Sequence, residues 1–152
     1  MTLSVGGWTW SRNFSLAVRT SSSRESLAQS IVALFRQWPV FSGVSIDWEY
    51  LSNNGVNYGN DGNSVDASDS ANFVEFVKRL RDLFNQQGWT GHTIAMCCTA
   101  APEKLHFDVE ILGRLLDEFH VMTYEYKKIL FIELTVALRR AHGQTLRLIS
   151  PI

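Results

Sequence analysis

Cysteine is scarce. The chain's two, Cys97 and Cys98, are adjacent, a spacing that suits neither a disulfide framework nor a pair of metal ligands, and that alternates in and out of an expected strand. Histidine is scarce too: His92, His106, His120 and His142 form no HxH or HxxxH pattern, so no metal is expected. Charge of one sign is missing. A net charge of -1 leaves no electrostatic footprint for nucleic acid or an anionic membrane, and it suits a neutral substrate. Long apolar runs are also missing: the most apolar stretch, Ile129 to Leu138, is broken by Glu133 and is about half of the ~20 residues a membrane span requires. Met1 is followed directly by TLSVGG, with neither a basic n-region nor an apolar h-region, so no secretory signal is expected here. Finally, 152 residues hold one domain with a real core but fall short of the roughly 250 that a complete (β/α)8 barrel takes.

What the chain does have is FSGVSIDWEY, from Phe41 to Tyr50. Side chains alternate along a strand, so Gly43, Ser45, Asp47 and Glu49 share one face while Val44, Ile46 and Trp48 share the other. An apolar face that packs under helices, backed by a polar and acidic one, describes a strand of a closed parallel barrel better than one of a solvated antiparallel sheet. Two carboxylates two residues apart then point into the barrel mouth, where like charges in a partly dry site raise each other's pKa.

Strands and helices alternate along the chain. Leu3 to Gly7 reads as a strand ending in a glycine pair. Ser22-Ser23-Arg24-Glu25 has capping-box spacing before a helix with Leu27, Ile31, Leu34 and Trp38 on one stripe, stopped by Pro39. The acidic strand is expected at 43 to 49. After it comes a loop from Ser52 to Ser68 rich in Asn, Gly and Asp, whose Asp61, Asn63 and Asp66, with Asp69 just beyond, fit turn chemistry and not a calcium loop. The next helix carries Phe73, Phe76, Val77, Leu80 and Phe84 and ends at Gly88. His92 to Thr99 is a third strand, Asp108 caps a short helix with Ile111, Leu112, Leu115 and Leu116, and Phe119 to Tyr124 is a fourth strand. The order βαβαβαβ requires parallel strands joined by right-handed crossovers, so the fold class is α/β with a parallel sheet. After the fourth strand no further strand of that kind is expected. The run KKILFIELTVALRR reads as an amphipathic helix or as an alternating strand from Ile132 to Leu138.

SVGG at Ser4 to Gly7, GVSIDWE at Gly43 to Glu49 and MTYE at Met122 to Glu125 resemble, in order, the third, fourth and sixth barrel strands of the family 18 glycoside hydrolases, the chitinases and their relatives. The resemblance divides the chain into a partial chitinase-like catalytic domain, 1 to 126, about half of a parallel (β/α)8 TIM barrel, and a divergent tail, 127 to 152. It implies retaining hydrolysis of β-1,4-linked N-acetylglucosamine polymers, with the sugar's own acetamide oxygen in place of an enzyme nucleophile. Glu49 would be the general acid and then the base, Asp47 would orient the acetamide and offset its developing charge, and Tyr124 would hydrogen-bond the acetamide carbonyl. Met122 would line the floor beneath that sugar, with Ser45 and Glu125 beside it. Trp8 would stack on a ring at the cleft edge, although Trp8 and Trp10 suit packing against a neighbouring loop equally well. The implied partner is chitin or its oligosaccharides, with no cofactor, no metal, no nucleic acid and no membrane. An intact family member would be extracellular or secreted. Half a barrel also exposes strand edges through which the chain would self-associate.

The chain departs from that pattern too. Ser42 and Ser45 stand where the family usually has acids, and Glu125 where it has aspartate. A neutral Ser45 would spare Asp47 an acidic neighbour, letting it ionise more readily while the serine hydroxyl donates to it. Two further readings stay open: a catalytically inactive chitin-oligosaccharide binder, and a truncation product without function.

Overall fold

The structure is a computed structural model that describes residues 1–52, 55, 62–101, 105–123 and 145–149. In chain order the elements are β1 (Thr2–Gly6), α1 (Phe14–Arg19), α2 (Ser21–Gln37), β2 (Gly43–Asp47), α3 (Asp69–Gln86), β3 (Thr93–Thr99), α4 (Val109–Leu115), β4 (Glu118–Met122) and β5 (Thr145–Ile149). The strands form one sheet in the order β1-β2-β3-β4-β5, and every neighbouring pair is parallel. That is the α/β class expected from the alternation. β5 is an addition to it: it pairs along the whole length of β4, Glu118 opposite Thr145 and Met122 opposite Ile149, where no strand was expected. The alternating run from Ile132 to Leu138 lies outside the described residues.

One sheet face is covered by helices. Leu3 and Val5 of β1, Val44, Ile46 and Trp48 of and just after β2, Ile94, Met96 and Cys98 of β3, and Phe119 and Val121 of β4 all belong to the apolar core against α1 to α4. Burying each large side chain of this set contributes roughly 1.5–3 kcal/mol relative to exposure. Aromatic rings fill the layer: Phe14 stacks on Trp48 at 5.3 Å, Trp48 meets Phe73 edge-on at 6.1 Å, and Phe35 stacks on Phe84 at 5.5 Å.

α3 buries the expected stripe of Phe73, Phe76, Val77, Leu80 and Phe84, and Gly88 follows with φ of 74°. α2 does not follow its expected stripe. Its buried residues are Ala28, Ile31, Val32 and Phe35, with Leu27 and Leu34 only partly buried and Trp38 exposed. The i, i+3, i+4, i+7 set starting at Ala28 places Phe35 against Phe84, and that contact outranks the larger side chains one position away. The cap also differs. Thr20, not Ser22, closes the box, its Oγ1 accepting from Ser23 N at 3.1 Å while Ser23 Oγ accepts from Thr20 N at 3.1 Å. Glu25 is thereby free to reach across to α3, where Arg79 Nε approaches its Oε2 at 2.5 Å. That hydrogen bond is the main reason the Glu25 carboxyl is lowered to about 2.

α1, six residues long, was not expected; it tucks Phe14 and Val18 under the end of β1. At α4, Asp108 Oδ1 accepts from Ile111 N at 2.9 Å as expected, while Ile111 itself faces solvent. Asp66 accepts from both the backbone and the hydroxyl of Ser68, at 2.9 and 2.6 Å, an Asp-Ser turn of the kind the loop composition suggested.

Candidate active site at the end of β2

The sheet face away from the helices is polar. Register places Ser45 beside Ala95, Gly6 beside Asp47, His120 beside Cys97 and Met122 beside Thr99. Ser45, Asp47, Cys97, Glu118, His120 and Met122 therefore share the sheet face away from the helices.

Ser45, 4% exposed, bonds across two strands. Its Oγ lies 2.9 Å from His120 Nδ1 and 3.4 Å from Cys97 Sγ, and His120 Nε2 lies 3.0 Å from Glu118 Oε2. The expectation that Ser45 donates to Asp47 is thus corrected, because the imidazole on β4 occupies the hydroxyl instead. Asp47 itself is half-buried. Burial pushes its carboxyl above the ordinary value, against the Cys97 thiol and the charge of His120, which favour ionisation. Asp47 Oδ1 is buried and finds no hydrogen-bond partner among the described residues. Cys97 is pushed up to about 12, chiefly by burial and further by the Asp47 and Glu49 carboxylates, so it stays a thiol near both acids.

A carboxyl with a raised folded-state pKa holds its proton more tightly than the unfolded chain does. Its effect on stability is therefore absent at pH values below the ordinary carboxylate range, and stability falls as pH rises through that range to the raised value. Asp47→Asn removes this loss. Its melting temperature relative to the parent is expected to be higher at pH 7 than at pH 4; an equal difference at the two values would mean that Asp47 ionises without hindrance.

Glu49 lies two residues beyond the end of β2 and is 8% exposed. Its backbone is held on both sides: its N–H donates to Ser11 Oγ at 2.9 Å and its carbonyl accepts from Asn63 Nδ2 at 2.6 Å. Met122 is buried at the end of β4, on the same face as His120. Trp8 is 46% exposed and sets its ring edge-on to Tyr50 at 6.2 Å. Trp10 is more exposed still, at 80%. The structure thus brings Ser45, Asp47, Glu49 and Met122 to one end of one face, with Trp8 at the rim. Tyr124 and Glu125 lie outside the described residues. Among the described residues no three His, Cys, Asp or Glu side chains are grouped to hold a metal ion, and no helix is long and apolar enough to cross a membrane.

Four residues of this site escaped the sequence. Glu118 and His120 were detectable in principle, since EFHVM places them with Met122 at period 2. Ser11 and Asn63 sit in loops and carry no periodic signal.

A parallel sheet with helices on one face and two acids at the carboxyl end of a strand is the layout of a barrel-type glycosidase site. The model of the glycosyl hydrolases family 18 matches residues 1–151, and the chain belongs to that family. It is 34% identical over 132 residues to chitinase 1 of Aphanocladium album, an alignment covering 82% of this chain and 27% of that protein. It is 32% identical over 129 residues to chitinase A1 of Niallia circulans, covering 82% and 18% respectively. The fold superposes on chitinase ChiA74 from Bacillus thuringiensis with a TM-score of 0.80 at 23% identity, over 99% of this chain and 28% of that one. The chain thus spans between 18% and 28% of the length of these relatives.

Proposed function

We propose that this chain carries the acid/base half of a chitinase site, cleaving β-1,4-linked N-acetylglucosamine polymers with retention. The observation that carries this reading is the pair Asp47 and Glu49 at the end of β2, on the polar face, both close enough to Cys97 to disfavour its ionisation. In the reaction Glu49 gives its proton to the glycosidic oxygen as the C1–O bond breaks. The acetamide carbonyl oxygen of the same sugar closes on C1, forming an oxazolinium ion. Glu49, now a carboxylate, takes a proton from the water that reopens it. Asp47, half-buried with one oxygen unpartnered among the described residues, would accept from the acetamide N–H and offset its positive charge. Tyr124 would hold the acetamide oxygen, Met122 the floor of the subsite, Trp8 a sugar face at the rim, and Glu125 and Ser45 the surroundings of Asp47. An insoluble polymer is met outside the cell, so an extracellular setting goes with this substrate.

The test is fluorophore release from a chitobioside by the purified 152-residue chain, with folding followed by thermal melting. Hydrolysis by a cooperatively melting chain supports the reading. A folded chain that retains chitin oligosaccharides without cleaving them supports the second reading, an inactive binder. Ser45 favours that second reading, because it is committed to His120 and not to Asp47.

The open sheet has a consequence for assembly. Among the described residues β1 pairs only with β2 and β5 only with β4, so two outer edges offer unpaired backbone groups to another strand. Sedimentation at tens of micromolar is expected to show species heavier than the 17.2 kDa chain; a folded chain that stays monomeric would contradict edge pairing.

A further inference from the structure

Ser11 lies in the connection between β1 and α1 and is fully buried. Its hydroxyl is the meeting point of three backbone groups. The oxygen accepts from Glu49 N at 2.9 Å, while Gly7 O at 2.8 Å and Asp47 O at 3.1 Å share its single proton. With its proton shared between two carbonyls and a lone pair on Glu49 N–H, the hydroxyl has its orientation fixed by all three groups. On the other side of Glu49, the buried Asn63 donates through Nδ2 to Glu49 O at 2.6 Å. Gly55 leaves room for that approach, since a Cβ there would stand 1.9 Å from Glu49 O and 2.6 Å from Asn63 Nδ2.

These contacts act where the sheet no longer does. The ladder of β2 ends at Asp47, two residues before Glu49. Holding its N–H from one loop and its C=O from another fixes the two peptide planes that flank its Cα, and with them the direction in which its side chain leaves the chain. Both bonds are buried, and a buried backbone group is costly to leave unpaired, which makes the arrangement stiff. Stiffness at this one position matters because a displacement of about 1 Å at a reacting group costs on the order of 100-fold in rate.

We infer, on the reading that Glu49 is the acid, that Ser11 and Asn63 are positioning residues that clamp the Glu49 backbone from opposite sides and so aim its carboxyl at the glycosidic oxygen. Neither side chain needs to touch the sugar. Their work is done through the peptide groups on either side of the acid.

The experiment uses the whole chain with Ser11→Ala, which deletes the acceptor, and Asn63→Asp, which keeps the shape and deletes the donor. Three quantities are read in each. They are hydrogen exchange at Glu49 N–H against that at Ile46 N–H within β2, the Glu49 χ1 rotamer from three-bond couplings, and kcat and KM on a chitobioside. In Ser11→Ala, Glu49 N–H is expected to exchange at least ~10-fold faster relative to Ile46. In both variants Glu49 is expected to pass from one rotamer to an average, and kcat to fall about 10- to 100-fold with KM nearly unchanged. An unchanged rotamer and exchange ratio in both variants overturns the clamp, as does an unchanged kcat in a chain that hydrolyses. Loss of folding in both variants also overturns it, since the two side chains would then serve folding alone. If the parent cleaves nothing, it is the hydrolase reading that fails, and exchange and couplings alone decide whether Ser11 and Asn63 fix Glu49.

Discussion

Glu49→Gln is expected to lower turnover of a fluorogenic chitobioside by about 100- to 10,000-fold, the range of a single general acid–base group. The substitution is isosteric and keeps the N–H and C=O through which Ser11 and Asn63 hold residue 49. What it removes is the transferable proton. In the proposed reaction, protonation of the leaving oxygen and deprotonation of the incoming water would pass through the same carboxyl, so both halves would be slowed. The variant keeps the shape of a side chain that is 8% exposed, so its melting temperature is expected to stay close to the parent's. Initial rates and melts on the same preparations decide the matter: a variant within a few-fold of the parent would remove Glu49 from the proton-transfer role, and a collapsed melt would assign it to the fold.

The largest stability effect is expected at Gly6. Its φ is 110°, and a Cβ there would lie 2.3 Å from Asp47 O and 2.6 Å from the ring of Phe14. Neither obstacle yields easily. Asp47 O is already held by Gly7 N at 2.7 Å and by Ser11 Oγ at 3.1 Å, and Phe14 is stacked on Trp48. Gly6→Ala combines a disfavoured backbone region, about 1–3 kcal/mol, with overpacking of similar size, and should destabilise by about 3–5 kcal/mol in urea unfolding. Gly88→Ala is the internal control. Its φ is 74°, but a Cβ there meets nothing within 4 Å, so only the backbone cost of about 1 kcal/mol is expected. Equal losses at the two positions would show that the end of β1 can move away from β2.

How much of this the sequence revealed depended on whether the signal was local. α3 was legible because five large apolar residues, Phe73 to Phe84, repeat at helical spacing within an eighteen-residue helix, leaving one possible buried face. α2 offered two overlapping stripes, and the choice between Leu27 with Trp38 and Ala28 with Phe35 was made by α3, which no local pattern contains. α1 is too short for periodicity, and β5 becomes a strand through pairing with β4 across the intervening chain. The site divides the same way. Alternation along β2 placed Asp47 and Glu49 on one face, and the three ordered motifs pointed to the family. That Ser45 would turn to His120 required the register across β3, and that two loops would converge on Glu49 required the fold itself.

The separation of β2 into an apolar face that packs and a polar face that bears Asp47 has a consequence for how such a chain is handled after synthesis. Chaperones and proteases respond to apolar surface left uncovered, and Val44, Ile46 and Trp48 are sealed whatever stands at Ser45, Asp47 or Glu49. A copy substituted at Glu49 is therefore expected to accumulate as the parent does, with the polar face of the sheet intact. Loss of turnover and loss of the protein are independent events here, and an abundant chain is no sign of a working one.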